Sequence, residues 1–352
     1  MKTAILITNL GTPKSTSLND IKTYLSEFLM DPDVIPLPTP LRWLLVKGLI
    51  VPTRSPKSQH AYQSIWTDRG SPLLYHSIDL QNKLQDLIGS SAKVFLGMRY
   101  STPSLSSQLE QIRKENFDQI LLIPLYPQYS DATTGTTLKA VSEWVSKNNF
   151  KTPIRALSHF YWDANLIDNY VENGKALQEN FQADHTLISF HGLPQKMLRE
   201  GLGKGHCYQS NNCCIEISEK NIYCYRSQAI KTAKHIAEKM QLQDSDYTIC
   251  FQSRLGRAEW IQPYTQDTII QLAKAGKKRL LVFSPSFVAD CLETLEEIEI
   301  GLKQVFIEHG GEELKLVPSL NSSNTWVHTL SKLIDSDHFE DLEVLTKKLH
   351  LN

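Results

Sequence analysis

A chain of 352 residues is long enough for two domains of ordinary size. Its composition, 41% hydrophobic and 21% charged, is that of a globular protein, and 37 basic against 38 acidic side chains offer no basic face for a nucleic-acid partner. No uninterrupted apolar run approaches the roughly 18 residues that a membrane-spanning helix needs.

In chain order, "AILITNL" (4–10) reads as a first β-strand. Its apolar cluster ends at Asn9 and Gly11, too short for the core of a signal peptide, so the expected location is the cytoplasm. Further strand candidates are "AKVFLGMRY" (92–100), "QILLIPLY" (119–126), "TLISFH" (186–191), "YTICFQS" (247–253) and "RLLVFSPS" (279–286). None alternates strictly between apolar and polar, which predicts strands buried on both faces. Between them lie helical patterns at 17–30, 57–66, 104–115, 135–147, 165–181, 226–241, 265–275 and 290–308. This alternation predicts an α/β protein of parallel sheets covered by helices, in two domains expected at 1–150 and 151–335, with a tail at 336–352.

One early segment breaks the pattern. "FLMDPDVIPLPTPLRWLLVKGLIVPTRSP" (28–56) carries six prolines around a dense apolar helix at 41–51. It reads either as a helix packed on its own domain or as an apolar lip that accepts a greasy ligand or touches a membrane surface.

Ligands of open parallel sheets bind beyond the carboxyl ends of the strands. Those positions hold Leu10 in "NLGTP", Arg99-Tyr100, Tyr126 through Ser130, His191-Gly192, Gln252-Ser253-Arg254 and Pro285-Ser286-Phe287. His191 closes an apolar strand in "SFHGLP"; a histidine there serves as a structural hydrogen-bonding residue, moves a proton near neutral pH or binds a metal. In "DCLETLEEIEIGL" (290–302), Glu293 and Glu297 stand four apart and share a helix face. They form either a solvated acidic face or a carboxylate row that passes hydrated cations or protons. Carboxylates with an imidazole suit a divalent metal such as ferrous iron. No GxGxxG or GxxxxGK[ST] phosphate loop is present.

Four of six cysteines, Cys207, Cys213, Cys214 and Cys224, fall in one polar segment, "GKGHCYQSNNCCIEISEKNIYCYR" (203–226). A disulfide knot, a metal site and inert small residues compete to explain them, and a reducing cytosol disfavours the first. Cys250 and Cys291, in a strand and at a helix start, read as ordinary buried residues.

Taken together, "NLGTP", "FLMDPDVI", "GSPL", "GMRY", "PLYPQYS", "SFHGLP", "FQSRLGRAEWIQPYT" and "FVADCLETLEEI" resemble the ferrochelatases, over roughly residues 3–335, and are most similar to the proteobacterial enzymes. The resemblance implies a lyase that inserts Fe²⁺ into a porphyrin at the last step of haem biosynthesis. It implies two similar Rossmann-like domains of a chelatase-like fold, with the porphyrin in a cleft between them. His191 and Glu293 would face each other across the porphyrin and both contact the incoming Fe²⁺, with Glu297 one turn on. Trp260 matches an active-site tryptophan and Phe287 a cleft aromatic, while Arg99, Tyr126 and Ser130 fall in other cleft motifs. Leu10 stands where coproporphyrin-using relatives often carry tyrosine, which favours protoporphyrin IX and fits peripheral contact of the lip with the inner membrane. Gly301 stands where some relatives continue the acidic row. The alternatives are a coproporphyrin ferrochelatase, another tetrapyrrole chelatase of the same fold, and a non-catalytic haem or iron–sulfur sensor.

The cysteine stretch departs from the family pattern and reads as an insertion within 202–224. Four thiolates can hold a [2Fe–2S] cluster or a tetrahedral zinc. The spacing C-x5-C-C-x9-C lacks the paired C-x2-C knuckles of structural zinc, and some ferrochelatases carry such a cluster, so a [2Fe–2S] centre on these four residues is expected.

Overall fold

Two sheets organise the chain in the computed structural model, which describes residues 2–202, 204–208, 212–256 and 258–351. Part of the expected insertion, residues 203 and 209–211, lies outside the described residues. The chain divides into one unit of Met1–Tyr126, Ser130–His159 and Asn321–Asn352, and a second of Pro127–Tyr129 and Phe160–Leu320.

In the first unit the strands are β1 (Thr3–Asn9), β2 (Ala92–Met98), β3 (Gln119–Pro124), β4 (Ile154–Ala156) and β9 (Glu340–Asp341), in the order β2-β1-β3-β4-β9. The pairings among the first four are parallel; β9 pairs antiparallel with β4. The apolar runs have the expected cause: Ala4 to Ile7 and Ile120 to Ile123 are buried on successive residues, so both faces of these strands are covered. The covering helices are α1 (Leu18–Leu29), α2 (Thr39–Trp43), α3 (Val51–Ile65), α4 (Pro72–Ile88), α5 (Leu105–Glu115) and α6 (Thr136–Lys147), joined at the end of the chain by α12 (Asn324–Ile334) and α13 (Leu342–Lys348). Ser17 and Ser104 cap α1 and α5 by accepting the amides of Asp20 and Ser107, and Ser323 caps α12 by accepting that of Trp326.

The second unit holds β5 (His185–His191), β6 (Tyr247–Gln252), β7 (Arg279–Phe283) and β8 (Glu313–Leu316), all parallel, in the order β6-β5-β7-β8. Ile188 in central β5 lies between Ile249 and Phe283, which sets the ends of three strands at a common edge. Its helices are α7 (Ala164–Phe181), α8 (Gln195–Glu200), α9 (Tyr225–Lys239), α10 (Thr265–Lys274) and α11 (Lys303–Glu308). One core packs Leu187, Cys250, Ile269, Val282, Ile298 and Phe306, so Cys250 is the buried strand residue expected.

Three features differ from the sequence reading. The compact units do not end at 150 and 335: residues 321–351 return to the first unit, where α12 packs on α4, β9 extends the sheet beside β4, and α13 covers α6 and β4. The helix expected over 290–308 is π-helical over Leu292–Leu302 and becomes α-helical only at α11. The apolar stretch at 41–51 lies in helix from α2 through a π-helical segment Leu44–Ile50 into α3. Val46 and Val51 are buried, but Leu41, Trp43, Leu44 and Leu49 are between 56% and 62% exposed, so the stretch is not simply a helix packed on its own domain.

Candidate active site

The carboxyl edge of the second sheet brings three strand ends together. β5 stops at His191, β6 at Gln252, and the chain leaving β7 runs through Ser286 and Phe287 into the π-helix. His191 is half-buried, with its ring centroid 6.4 Å from that of Trp260 and 6.2 Å from that of Phe287. Its Nδ1 lies 2.6 Å from the Gly192 carbonyl oxygen. A carbonyl only accepts, so Nδ1 carries the hydrogen and Nε2 keeps its lone pair. Gly192 is required by close approach: a Cβ there would stand 2.7 Å from the Gln252 carbonyl oxygen and 3.2 Å from the Trp260 ring. Trp260 is itself held by its indole N–H, which donates to the Leu255 carbonyl at 2.9 Å.

Across this edge lies the π-helix. Its hydrogen bonds span five residues instead of four, which widens the turn and brings side chains at i and i+4 nearly above one another. Glu293, Glu297 and Gly301 therefore form a row, and the pairing expected from an α-helical period survives for a different reason. Gln252, 3% exposed, ties the row to the sheet by donating from Nε2 to the Glu293 carbonyl at 2.9 Å. The Glu297 carboxylate accepts from the Ser253 amide at 2.7 Å and from the Ser253 hydroxyl at 2.5 Å. Ser253 holds φ at +65°, a conformation that costs free energy in a non-glycine residue and is fixed here by those two bonds.

Burial raises the Glu297 pKa above the ordinary glutamate range; the Ser253 hydrogen bonds and the nearby His191 oppose it, and Glu293 adds to it. Cys291, at the start of the π-helix, is buried, and burial together with the Glu293 carboxylate pushes its thiol well up, keeping it protonated. This agrees with an inert role for Cys291.

The candidates on the first unit sit at its own strand ends. Leu10, half-buried after β1, accepts the Tyr100 amide at 2.8 Å. Arg99 pairs with Asp31 at 2.5 Å and donates from Nε to the Thr136 hydroxyl at 2.9 Å. Asp31 is buried and also accepts from Tyr100 and Thr136, so much of the Arg99 guanidinium is committed inside the unit. Tyr126 is buried, which raises its phenol pKa. The Ser130 hydroxyl accepts the Ala132 amide at 3.3 Å and so starts a short π-helical turn, Asp131–Gly135.

All four cysteines of the polar segment are buried although the segment is polar. Their sulfurs meet in pairs, Cys207 with Cys224 at 3.3 Å and Cys213 with Cys214 at 3.6 Å. Arg226 donates to the Cys214 sulfur at 3.1 Å, and the hydrogen bond shared with Cys224 holds the Cys207 thiol below its ordinary range. Cys214 and Cys224 are hydrogen-bonded as well, which links the two pairs; among the described residues no group of three or more His, Cys, Asp or Glu is arranged to hold a metal ion.

The sequence reading named Gln252, Ser253 and Ser286 only as strand-end positions, and it did not single out Tyr225, Arg226 or Asp31. Only Gln252, Ser253 and Ser286 carried a signal, their place just past a strand end. No described helix is long and apolar enough to cross a membrane.

Residues 2–338 match the family model described as Ferrochelatase. The chain is 42% identical to the ferrochelatase of Bdellovibrio bacteriovorus over 335 residues, covering 95% of this chain and 99% of that protein. It is 43% identical to that of Ectopseudomonas mendocina over 94% of this chain and 97% of the relative. Among solved structures, SirB from Bacillus subtilis with Fe³⁺ superposes with a TM-score of 0.56 over 95% of both chains at 9% identity, a likeness of fold.

The raised Glu297 pKa fixes a sign. An acid raised by burial favours the folded state most where it is protonated, and that contribution is lost as pH rises through its folded value. Glu297→Gln should therefore raise the melting temperature relative to wild type at pH 8, with the gain shrinking toward pH 4, as followed by thermal unfolding at both pH values.

Proposed function

The chain belongs to the ferrochelatase family, and from that membership we propose that it inserts Fe²⁺ into protoporphyrin IX, releasing two protons. The reaction needs a base near the macrocycle and a second group for the metal, and the observation that carries the reading is the edge where His191 and the Glu293–Glu297 row meet. His191, with Nδ1 tied to Gly192, offers Nε2 to a pyrrole proton. Glu293 meets the iron, and Glu297, whose affinity for protons is raised by burial, relays protons along the row. Trp260 and Phe287 beside the imidazole supply aromatic walls for a flat apolar ring. On the first unit, Leu10, Arg99, Tyr126 and Ser130 are proposed substrate-binding residues, with the Arg99 side chain held in place by Asp31. Leu10 in place of a tyrosine supports protoporphyrin over coproporphyrin.

A resident [2Fe–2S] centre on Cys207, Cys213, Cys214 and Cys224 is part of the proposal. The donor set fits in kind: these four buried sulfurs would hold the group, with Arg226 beside Cys214 to offset thiolate charge. Such a centre would supply a covalent staple for a segment with little other core and a redox-sensitive group. The exposed Leu41, Trp43, Leu44 and Leu49 support peripheral contact with the inner membrane.

Three measurements test these readings. With Fe²⁺ offered anaerobically, His191→Ala should lose at least about a hundredfold in turnover with protoporphyrin while still binding it, the scale of a general base. Near-normal turnover would overturn the base assignment, faster use of coproporphyrin by the wild type would reassign the substrate, and no insertion into any tetrapyrrole would favour a sensor. Protein prepared without oxygen should contain iron and acid-labile sulfide in equal amounts, with a visible absorption lost in Cys213→Ser; a colourless protein with stoichiometric zinc would replace the cluster. Leu41→Ser with Leu44→Ser should weaken co-sedimentation with anionic vesicles by about tenfold or more, since burying a leucine contributes about 2 kcal/mol, and unchanged binding would remove the lip from the membrane.

A further inference from the structure

His191 is fixed at its ring by Gly192 and at its backbone by a second set of bonds that nothing in the proposed chemistry uses. Tyr225, the first residue of α9, reaches the end of β5 with its hydroxyl. The phenol donates to the His191 carbonyl oxygen at 2.8 Å and lies 2.9 Å from the Ser286 hydroxyl. The His191 amide in turn donates to the Ser286 hydroxyl at 3.2 Å.

Donor counting leaves one arrangement. A tyrosine hydroxyl has one hydrogen, and the carbonyl takes it. The Ser286 hydroxyl must then donate to the Tyr225 oxygen while accepting from the His191 amide. The three bonds close a ring through the backbone of one residue, each donor used once, a pattern in which neighbouring bonds polarise one another. Burial raises the Tyr225 phenol pKa, so it stays protonated and able to donate.

The peptide unit between His191 and Gly192 is planar. Its carbonyl is held by Tyr225, and its amide donates to the Gln252 carbonyl at 2.8 Å. Holding both sides fixes the rotation of the plane, hence the course of the chain into Gly192, whose own carbonyl receives the His191 Nδ1 hydrogen. The imidazole is thus aimed by a backbone that the phenol holds in place.

We infer that Tyr225 is a positioning residue for His191, acting through a hydroxyl ring with Ser286 and not through contact with substrate. The inference rests on the reading of His191 as the base. Tyr225→Phe keeps the buried ring and deletes only the hydroxyl; Ser286→Ala breaks the same ring from the other side.

Two readouts test it, on the full chain as purified. In turnover with Fe²⁺ and protoporphyrin, Tyr225→Phe should lower kcat by about tenfold with the porphyrin KM unchanged, the size of a small misalignment of a reacting group. The double variant with Ser286→Ala should be no slower than the worse single one, since the two act as a unit. In amide hydrogen exchange without substrate, the His191 amide should exchange about tenfold faster or more in Tyr225→Phe. A kcat within twofold of wild type, or kcat and KM falling together with the melting temperature, overturns the positioning role, as does unchanged exchange. Should His191→Ala turn over normally, the base assignment fails, whereas the exchange result still reports whether Tyr225 holds that residue.

Discussion

A single buried amide holds the proposed site together. Gln252, at the end of β6, accepts the Gly192 amide on its main-chain carbonyl and the Ser189 hydroxyl on its side-chain oxygen, and donates from its side-chain nitrogen to the Glu293 carbonyl. One residue therefore joins the strand that carries the imidazole to the π-helix that carries the carboxylates. Because it is almost wholly desolvated, each of its polar atoms must find a partner inside the protein, and leaving one unmet costs about 1–3 kcal/mol. That requirement narrows the geometry: the site has few ways to relax without exposing a polar group to apolar surroundings. The strain at Ser253, the next residue, is tolerated on the same ground, since its left-handed turn delivers two hydrogen bonds to Glu297.

Much of this was legible in the sequence, for physical reasons that also explain the failures. Strands buried on both faces leave unmistakable apolar runs, so β1, β2, β3, β5, β6 and β7 were each placed to within a few residues. β4, β8 and β9 are too short to show a pattern, whereas α12 does bury one amphipathic face and was passed over because it lies after the last clear strand run. His191, Glu293 and Glu297 stood out because a strand end and an acidic row are local patterns. Gln252, Tyr225 and Ser286 did not, because their importance lies in hydrogen bonds spanning 41, 34 and 61 residues of sequence. The π-helix hid for a different reason: its apolar positions still fit an α-helical period, and only the backbone distinguishes the two.

The thiol segment illustrates how an appendage and a reaction site become neighbours. Cys224 is the N-cap of α9 and Tyr225 its first residue. The last thiol of the quartet is therefore one peptide bond from the residue whose hydroxyl meets His191. The Cys224 side chain makes no capping hydrogen bond, and its sulfur meets those of Cys207 and Cys214 instead. Whatever holds those sulfurs also holds the helix end from which the imidazole is aimed.

The return of the chain to its first unit has a consequence for synthesis. The second unit draws nearly all its residues from one continuous stretch, Phe160–Leu320, whereas the first lacks α12, β9 and α13 until the residues after Leu320 are made. Domains tend to fold as units while the chain is emerging. Here the half whose translation starts first is the half completed last. The exposed edge of β4 and the uncovered side of α6 must wait, unpaired, through the making of some 160 intervening residues, from Phe160 to Leu320.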